Sequence, residues 1–318
     1  AVDHFTISDH ENQLVAHLGP LVDLARGDVP HLGMIHIESD VAAAFLADPG
    51  DRVHGAVEME ALVLHEDIIA LQADRGAASA EIRGVQAGSE GLVNGQVRKN
   101  VKYGADLTKF CATGGVFSKG TKVGQTQYTL EEMQAIVDES HTHGRKVAAH
   151  AHGNEGIKRA ILAGVDSIEH ASFLDREAVQ MGIDRGTFFA LDIYNTEYTL
   201  EQGAANGVPE ENINKEREVG TKQRQSFTLA VEMGAKVVYA TDSGVYPHGD
   251  NGKQFARAVR FGMTPTQALM SATSLTAELL GWEDRVGAIQ PGLYADIIAV
   301  DGNPLDDISE MEDVDFVM

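Results

Sequence analysis

Four polar residues stand at the ends of four separate predicted strands: Lys109, His150, His170 and Asp242. Two imidazoles and a carboxylate suit a divalent ion such as zinc. An ammonium group does not, because it would repel the cation. A lysine that carries carbon dioxide as a carbamate becomes an anionic oxygen ligand, and the four residues then form one consistent set. Taken singly, each has a plainer role: a histidine hydrogen-bonded in a core, an aspartate capping a turn, a lysine paired with a buried acid. What argues for a shared site is that all four recur at strand ends in one α/β array.

That array must position them. From about residue 97 onward, short apolar runs alternate with helical patterns. Residues 107–112, 146–151, 167–171, 188–194 and 236–242 read as strands. Between them, Thr129 opens a helix with Glu132 as its capping-box partner, and Gly144 stops it. Helices are expected near 156–163 and 175–184, as a long polar stretch at 209–233, and as one amphipathic helix over 264–280. Near-continuous apolar strands separated by helices imply a parallel sheet covered by helices. Five such units leave room for three more in a chain of 318 residues, so the predicted class is α/β, a (β/α)8 TIM-like barrel. The strand ends of such a barrel converge on one mouth. The expected domains are a barrel over 1–282 and part of a small, incomplete β-sandwich appendage over 283–318. Residues 1–95 match this pattern poorly, although helical patterning is visible at 11–26 and 57–74.

Composition limits the partners. A formal charge of −23 opposes nucleic-acid binding and docking on anionic membranes, both of which need basic surfaces. Cys111 is the single cysteine, so no intrachain disulfide is expected. With no long apolar run and no basic-then-apolar leader, the chain reads as soluble, cytoplasmic or periplasmic, with homo-oligomerisation left open.

Lys109-Phe-Cys-Ala-Thr-Gly-Gly115, His150-Ala-His-Gly153, Ile168-Glu-His170 and Ala240-Thr-Asp-Ser-Gly244 resemble the amidohydrolase superfamily. The nearest branch is the imidazolonepropionase-like group with the Xaa-Pro and Xaa-Arg/Lys dipeptidases. Asp192-Ile-Tyr-Asn-Thr196, Tyr246-Pro-His-Gly-Asp-Asn251 and Gly292-Leu-Tyr-Ala-Asp296 strengthen that placement. The resemblance implies a carboxylated Lys109 bridging two metals, His150 and His170 on the second metal, and Asp242 on the first. Metal-activated water would attack the amide carbonyl of a dipeptide or N-acyl amino acid, with Asp242 as catalytic proton shuttle. His152, two residues from His150, is expected to contact substrate or support the ligands. Tyr194 and Tyr198 are candidates for a substrate carboxylate, and His248 for a weaker substrate contact.

The family also supplies a His-x-His pair at the end of the first barrel strand, and residues 1–95 contain none. That absence favours one alternative, an inactive barrel kept for binding; the runner-up enzyme implied by the resemblance is a cyclic-amide hydrolase resembling imidazolonepropionase. His141-Thr-His143 has strand-ligand spacing but falls at a helix end, where i and i+2 side chains diverge, and is not read as a ligand pair.

Overall fold

The structure, a computed structural model, is described for residues 89–318 except Lys119. The helical patterns at 11–26 and 57–74, and the histidines His4, His10, His31 and His36, lie outside the described residues. The chain enters through α1 (Ser89–Lys102) and alternates from there: β1 (Leu107–Cys111), α2 (Leu130–Thr142), β2 (Lys146–Ala151), α3 (Asn154–Ala163), β3 (Ser167–His170), α4 (Arg176–Arg185) and β4 (Phe188–Ala190). Two helices, α5 (Tyr194–Gln202) and α6 (Glu210–Glu232), precede β5 (Val237–Val238). The five strands form one parallel sheet in sequence order. Among the described residues no helix is long and apolar enough to cross a membrane.

Local chemistry sets the boundaries. Thr129 and Glu132 form the expected capping box, with Thr129 Oγ1 accepting from the Glu132 amide at 3.2 Å and Glu132 Oε2 from the Thr129 amide at 2.8 Å. Such a cap contributes about 1 kcal/mol. Asp175 caps α4 in the same way through the Ala178 amide.

Two expected strands are cut short and one expected helix is split. Of the strand expected over 236–242 only Val237–Val238 forms, so Asp242 lies beyond its end. The strand expected over 188–194 ends at Ala190, because β5 pairs only with Phe189 and Ala190. Beyond that point the buried Gln254 side chain takes over: its Nε2 donates to Leu191 O, and its Oε1 accepts from the Ile193 and Tyr194 amides. The helix expected over 264–280 is two helices, α8 (Pro265–Ala272) and α9 (Ser274–Leu280), broken at Thr273. There the Ser271 carbonyl accepts from the Tyr239 amide and from the Thr276 hydroxyl.

A helix that the sequence reading did not place, α7 (Lys253–Arg260), precedes them. The C-terminal stretch adds a two-stranded antiparallel pair, β6 (Ile298–Ala299) with β7 (Phe316–Val317). Between these strands, a 3-10 turn (Ile308–Glu312) places Ile308 and Met311 in the main core cluster, beside Phe255 and Ala258 of α7.

Strand parity sorts the side chains. Phe110, Val147, Ala149, Ile168, Phe189 and Val237 belong to the core cluster shared with the helices. Lys109 of β1 and His150 of β2, of opposite parity, therefore face the other side of the sheet.

Candidate metal centre

His170 breaks that parity. A regular strand would turn it toward the helices with Ile168. Instead its ring lies 4.5 Å from His150 and 5.0 Å from His152, centroid to centroid. The backbone accounts for this: His170 has φ +66° and Ala171 φ +44°, both left-handed. Among the described residues Asp242 is the third non-glycine residue in that region, at φ +54°. Each such residue costs about 1–3 kcal/mol, and strain of this kind concentrates at functional sites.

The strand ends assemble two overlapping triads, His150–His152–His170 and His170–Asp192–Asp242. Within each triad the ligand atoms lie within 4.8 Å of one another, and every member is buried. His170 Nδ1 is 2.8 Å from Asp192 Oδ1, which leaves Nε2 directed elsewhere. Asn195 joins the two carboxylates, donating to Asp192 Oδ2 and, at 3.3 Å, to Asp242 Oδ2. Gln223 of α6 donates to the Asp192 carbonyl at 2.5 Å and to its Oδ1 at 3.3 Å. His152 Nδ1 is 2.7 Å from Ser172 Oγ.

The electrostatics split the three histidines. Burial, then the charges of His170 and Lys109, hold His150 well below the ordinary imidazole value. His152 is lowered in the same direction, by burial and then by its two histidine neighbours. Burial would also pull His170 down, but Asp192, with help from Asp242, outweighs it and raises His170 to about 9.

The donor set fits a divalent cation. Both ring nitrogens of His150 and Nε2 of His170 are buried with no hydrogen-bond partner among the described residues. Buried polar atoms left this way are costly, and a cation accepting the lone pair of one nitrogen from each ring removes part of that cost. Imidazole nitrogens beside carboxylate oxygens suit zinc-like chemistry. Lys109, 3% exposed, lies close enough for its charge to act on both His150 and His170.

Gly115, in the loop after β1, walls this cluster. A Cβ there would stand 2.7 Å from His150 Nε2. Gly115→Ala is therefore expected to displace the His150 ring and weaken zinc binding by about tenfold, with little change in melting temperature. Chelator competition measures the first and thermal denaturation the second. Unchanged zinc affinity would remove His150 Nε2 from the ligand set.

The remaining sequence candidates are placed less centrally. Tyr194 and Tyr198 lie on α5, not on a strand, and form a buried cluster with Tyr246. Lys253 and Arg257 of α7 stand over the Tyr194 ring at 5.6 and 4.8 Å, and Asn206 donates to Tyr198 Oη at 3.0 Å. His248 is exposed, with Nδ1 2.9 Å from Ser243 Oγ, and lies outside both triads. His141 and His143 sit at the end of α2 on separate carboxylates, Asp166 and Glu139. Asp192, Asn195 and Gln223 were not singled out as site residues from the sequence. Asp192 falls inside the run 188–194 that reads as one strand, and Gln223 within a long polar helix, so neither carries a strand-end signal.

Comparison with known proteins places the chain in a family. The model of the amidohydrolase family matches residues 68–318. Ochratoxinase of Aspergillus niger is 30% identical over 262 residues, 78% of this chain and 54% of that protein. The chain thus spans about half the length of the curated relatives it matches. A crystal structure of a Xaa-Pro dipeptidase with methionine bound in its active site is 44% identical, with a TM-score of 0.68 over 72% of this chain and 57% of that one. A prolidase complexed with N-methylphosphonate-L-proline is 31% identical, with a TM-score of 0.68 over 71% of this chain and 56% of that one. These neighbours imply a (β/α)8 barrel, and the five-stranded parallel sheet alternating with helices is the part of it described above. The chain belongs to the amidohydrolase family.

Proposed function

We propose that the chain is a metal-dependent hydrolase that cleaves the amide bond of dipeptides or N-acyl amino acids. The observation that carries this reading is the buried histidine–carboxylate cluster, with imidazole nitrogens left without protein partners among the described residues. The dipeptidase and prolidase neighbours and ochratoxinase support it. One or two divalent ions, with zinc as the expected metal, would be held by His150, His170, Asp242 and Lys109 as its carbamate. Such an ion supplies water acidified to near-neutral pKa and polarises the substrate carbonyl.

The chain's own groups do the rest. Asp242 takes the proton of the attacking water and returns it to the leaving amine. Asn195, donating to Asp242 Oδ2, fixes which way that carboxylate faces. His152 is held at Nδ1 by Ser172 and presents its other nitrogen to the substrate side. Tyr194 and Tyr198, with Lys253 and Arg257 beside the former, receive the substrate carboxylate; His248 lines the approach.

Metal analysis after incubation with zinc and bicarbonate tests the reading, followed by a panel of dipeptides, N-acyl amino acids and a cyclic amide. About one equivalent of zinc or more is expected, with turnover of the linear amides. Failure to retain zinc would favour an inactive barrel. Hydrolysis of the ring alone would move the chain to the cyclic-amide hydrolases.

A further inference from the structure

The buried face of α6 carries polar residues where a helix packed on a core ordinarily carries apolar ones. Glu216 and Gln223 are 4% and 3% exposed, and Gly220 lies between them on the same face. A Cβ at Gly220 would collide with Thr196 Cγ2, so the glycine lets α6 approach α5 closely. That approach completes a row of contacts. Thr196 Oγ1 lies against Glu216 Oε1 and 3.0 Å from Gln223 Oε1. Gln223 Nε2 faces the two oxygens of Asp192, and Asp192 faces His170 Nδ1.

Counting hydrogens gives this row a direction. Both Asp192 oxygens are acceptors, so the Gln223 amide must turn its N–H toward them and its oxygen toward Thr196. Thr196 has one hydroxyl hydrogen. If Glu216 were ionised, two oxygens would compete for that hydrogen, and a buried carboxylate would be left poorly satisfied. If Glu216 is the carboxylic acid, it donates to Thr196, Thr196 donates to Gln223 Oε1, and Gln223 donates to Asp192. Every contact then has one donor and one acceptor.

We propose that Glu216 is a positioning residue held as the neutral acid, and that it orients Asp192 and His170 through Thr196 and Gln223. Burial, together with the nearby Asp192 charge, favours the neutral form and outweighs the Thr196 hydrogen bond and the charges of Arg224 and His170, which oppose it. The inference rests on the proposed metal role of His170, but its first readout does not. Asp192, held from behind by Gln223, keeps its oxygen on His170 Nδ1 and so keeps Nε2 aimed at the cluster.

The test compares Glu216→Gln, Glu216→Leu and Thr196→Val in the full chain. The resonance of the His170 Nδ1 proton is read in metal-free protein labelled with nitrogen-15 histidine, and zinc affinity is read by chelator competition. Gln keeps a donor toward Thr196 without charge, so Glu216→Gln should keep the resonance and hold zinc within about threefold of the parent. Glu216→Leu should shift the resonance and weaken zinc by about tenfold. Thr196→Val, which keeps the shape and removes the hydroxyl, should behave as Glu216→Leu does and decides the matter if the leucine variant does not fold. A Gln variant as impaired as the Leu variant would mean that the anion is required and would overturn the proposal. A Val variant with an unchanged resonance would overturn it equally. If the parent chain binds no zinc, the metal reading fails, and the resonance alone still decides the role of Glu216.

Discussion

Replacing Asp242 with asparagine should lower kcat for dipeptide hydrolysis by about 10³-fold while leaving the fold intact. The size follows from general acid–base catalysis, which contributes about 10²–10⁴-fold when a positioned group moves the proton. The substitution is unusually clean here because of the backbone. Asp242 sits at φ +54°, a region that asparagine enters at least as readily as aspartate and that alanine enters at a cost. The side-chain volume is nearly unchanged, and Asn195 can still hydrogen-bond to the retained oxygen. A fall in rate therefore reports the lost proton acceptor, not a displaced loop. Steady-state kinetics on a dipeptide, paired with zinc analysis of the same preparation, separates two roles. Loss of turnover with zinc retained through His150 and His170 makes Asp242 the shuttle. Loss of both together would make it chiefly a metal ligand, and a kcat within about tenfold of the parent would end its catalytic role.

Much of this arrangement was legible in the chain because barrel strands announce themselves. Residues 146–151 form the strand expected, and the capping box at Thr129 lies where the sequence puts it, since both depend on local chemistry. The position of His150 follows from strand-end placement, whereas Asp242 lies beyond the end of β5, at a left-handed residue that strand placement does not foresee. His170 is different. Its type and place were legible, yet strand parity would have turned it to the wrong face, and only the left-handed turn at His170–Ala171 brings it to His150. No non-glycine sequence signal marks such a turn. Asp192 was missed because the apolar run 188–194 reads as one strand, whereas the sheet ends at Ala190 and Gln254 satisfies the backbone beyond it. The partners on α6 were illegible for a further reason. A polar helix pattern signals exposure, and only the packing shows that Glu216 and Gln223 are on the covered face.

Asp192→Asn should produce a different signature from Asp242→Asn, one written in pH. In the metal-free protein His170 is raised to about 9, against an ordinary value of 6.5. The sign is that of a group stabilised in its protonated form: the His170–Asp192 pair stabilises the metal-free fold fully below about pH 6.5, and that contribution is lost as pH rises through about 9. Zinc binding runs the other way, because the metal needs a neutral imidazole and must displace the proton. From this group alone, apparent zinc affinity should rise nearly tenfold per pH unit well below 9 and level off through it, about 50-fold in all between pH 7 and pH 9. Neutralising Asp192 removes the main force holding the proton, and burial then keeps His170 neutral. The variant should lose that part of the slope, and at pH 9 it should bind zinc about 10–100-fold more weakly, because Nδ1 has lost its anionic partner. Other titrating groups, Lys109 among them, act on both proteins, so the difference between the two slopes isolates His170. Calorimetric titrations in buffers of different ionisation enthalpy would count the protons released at pH 7: about one more from the parent than from the variant. Equal proton counts and parallel slopes would show that Asp192 does not hold a proton on His170. The hydrogen bond between them would then serve geometry alone.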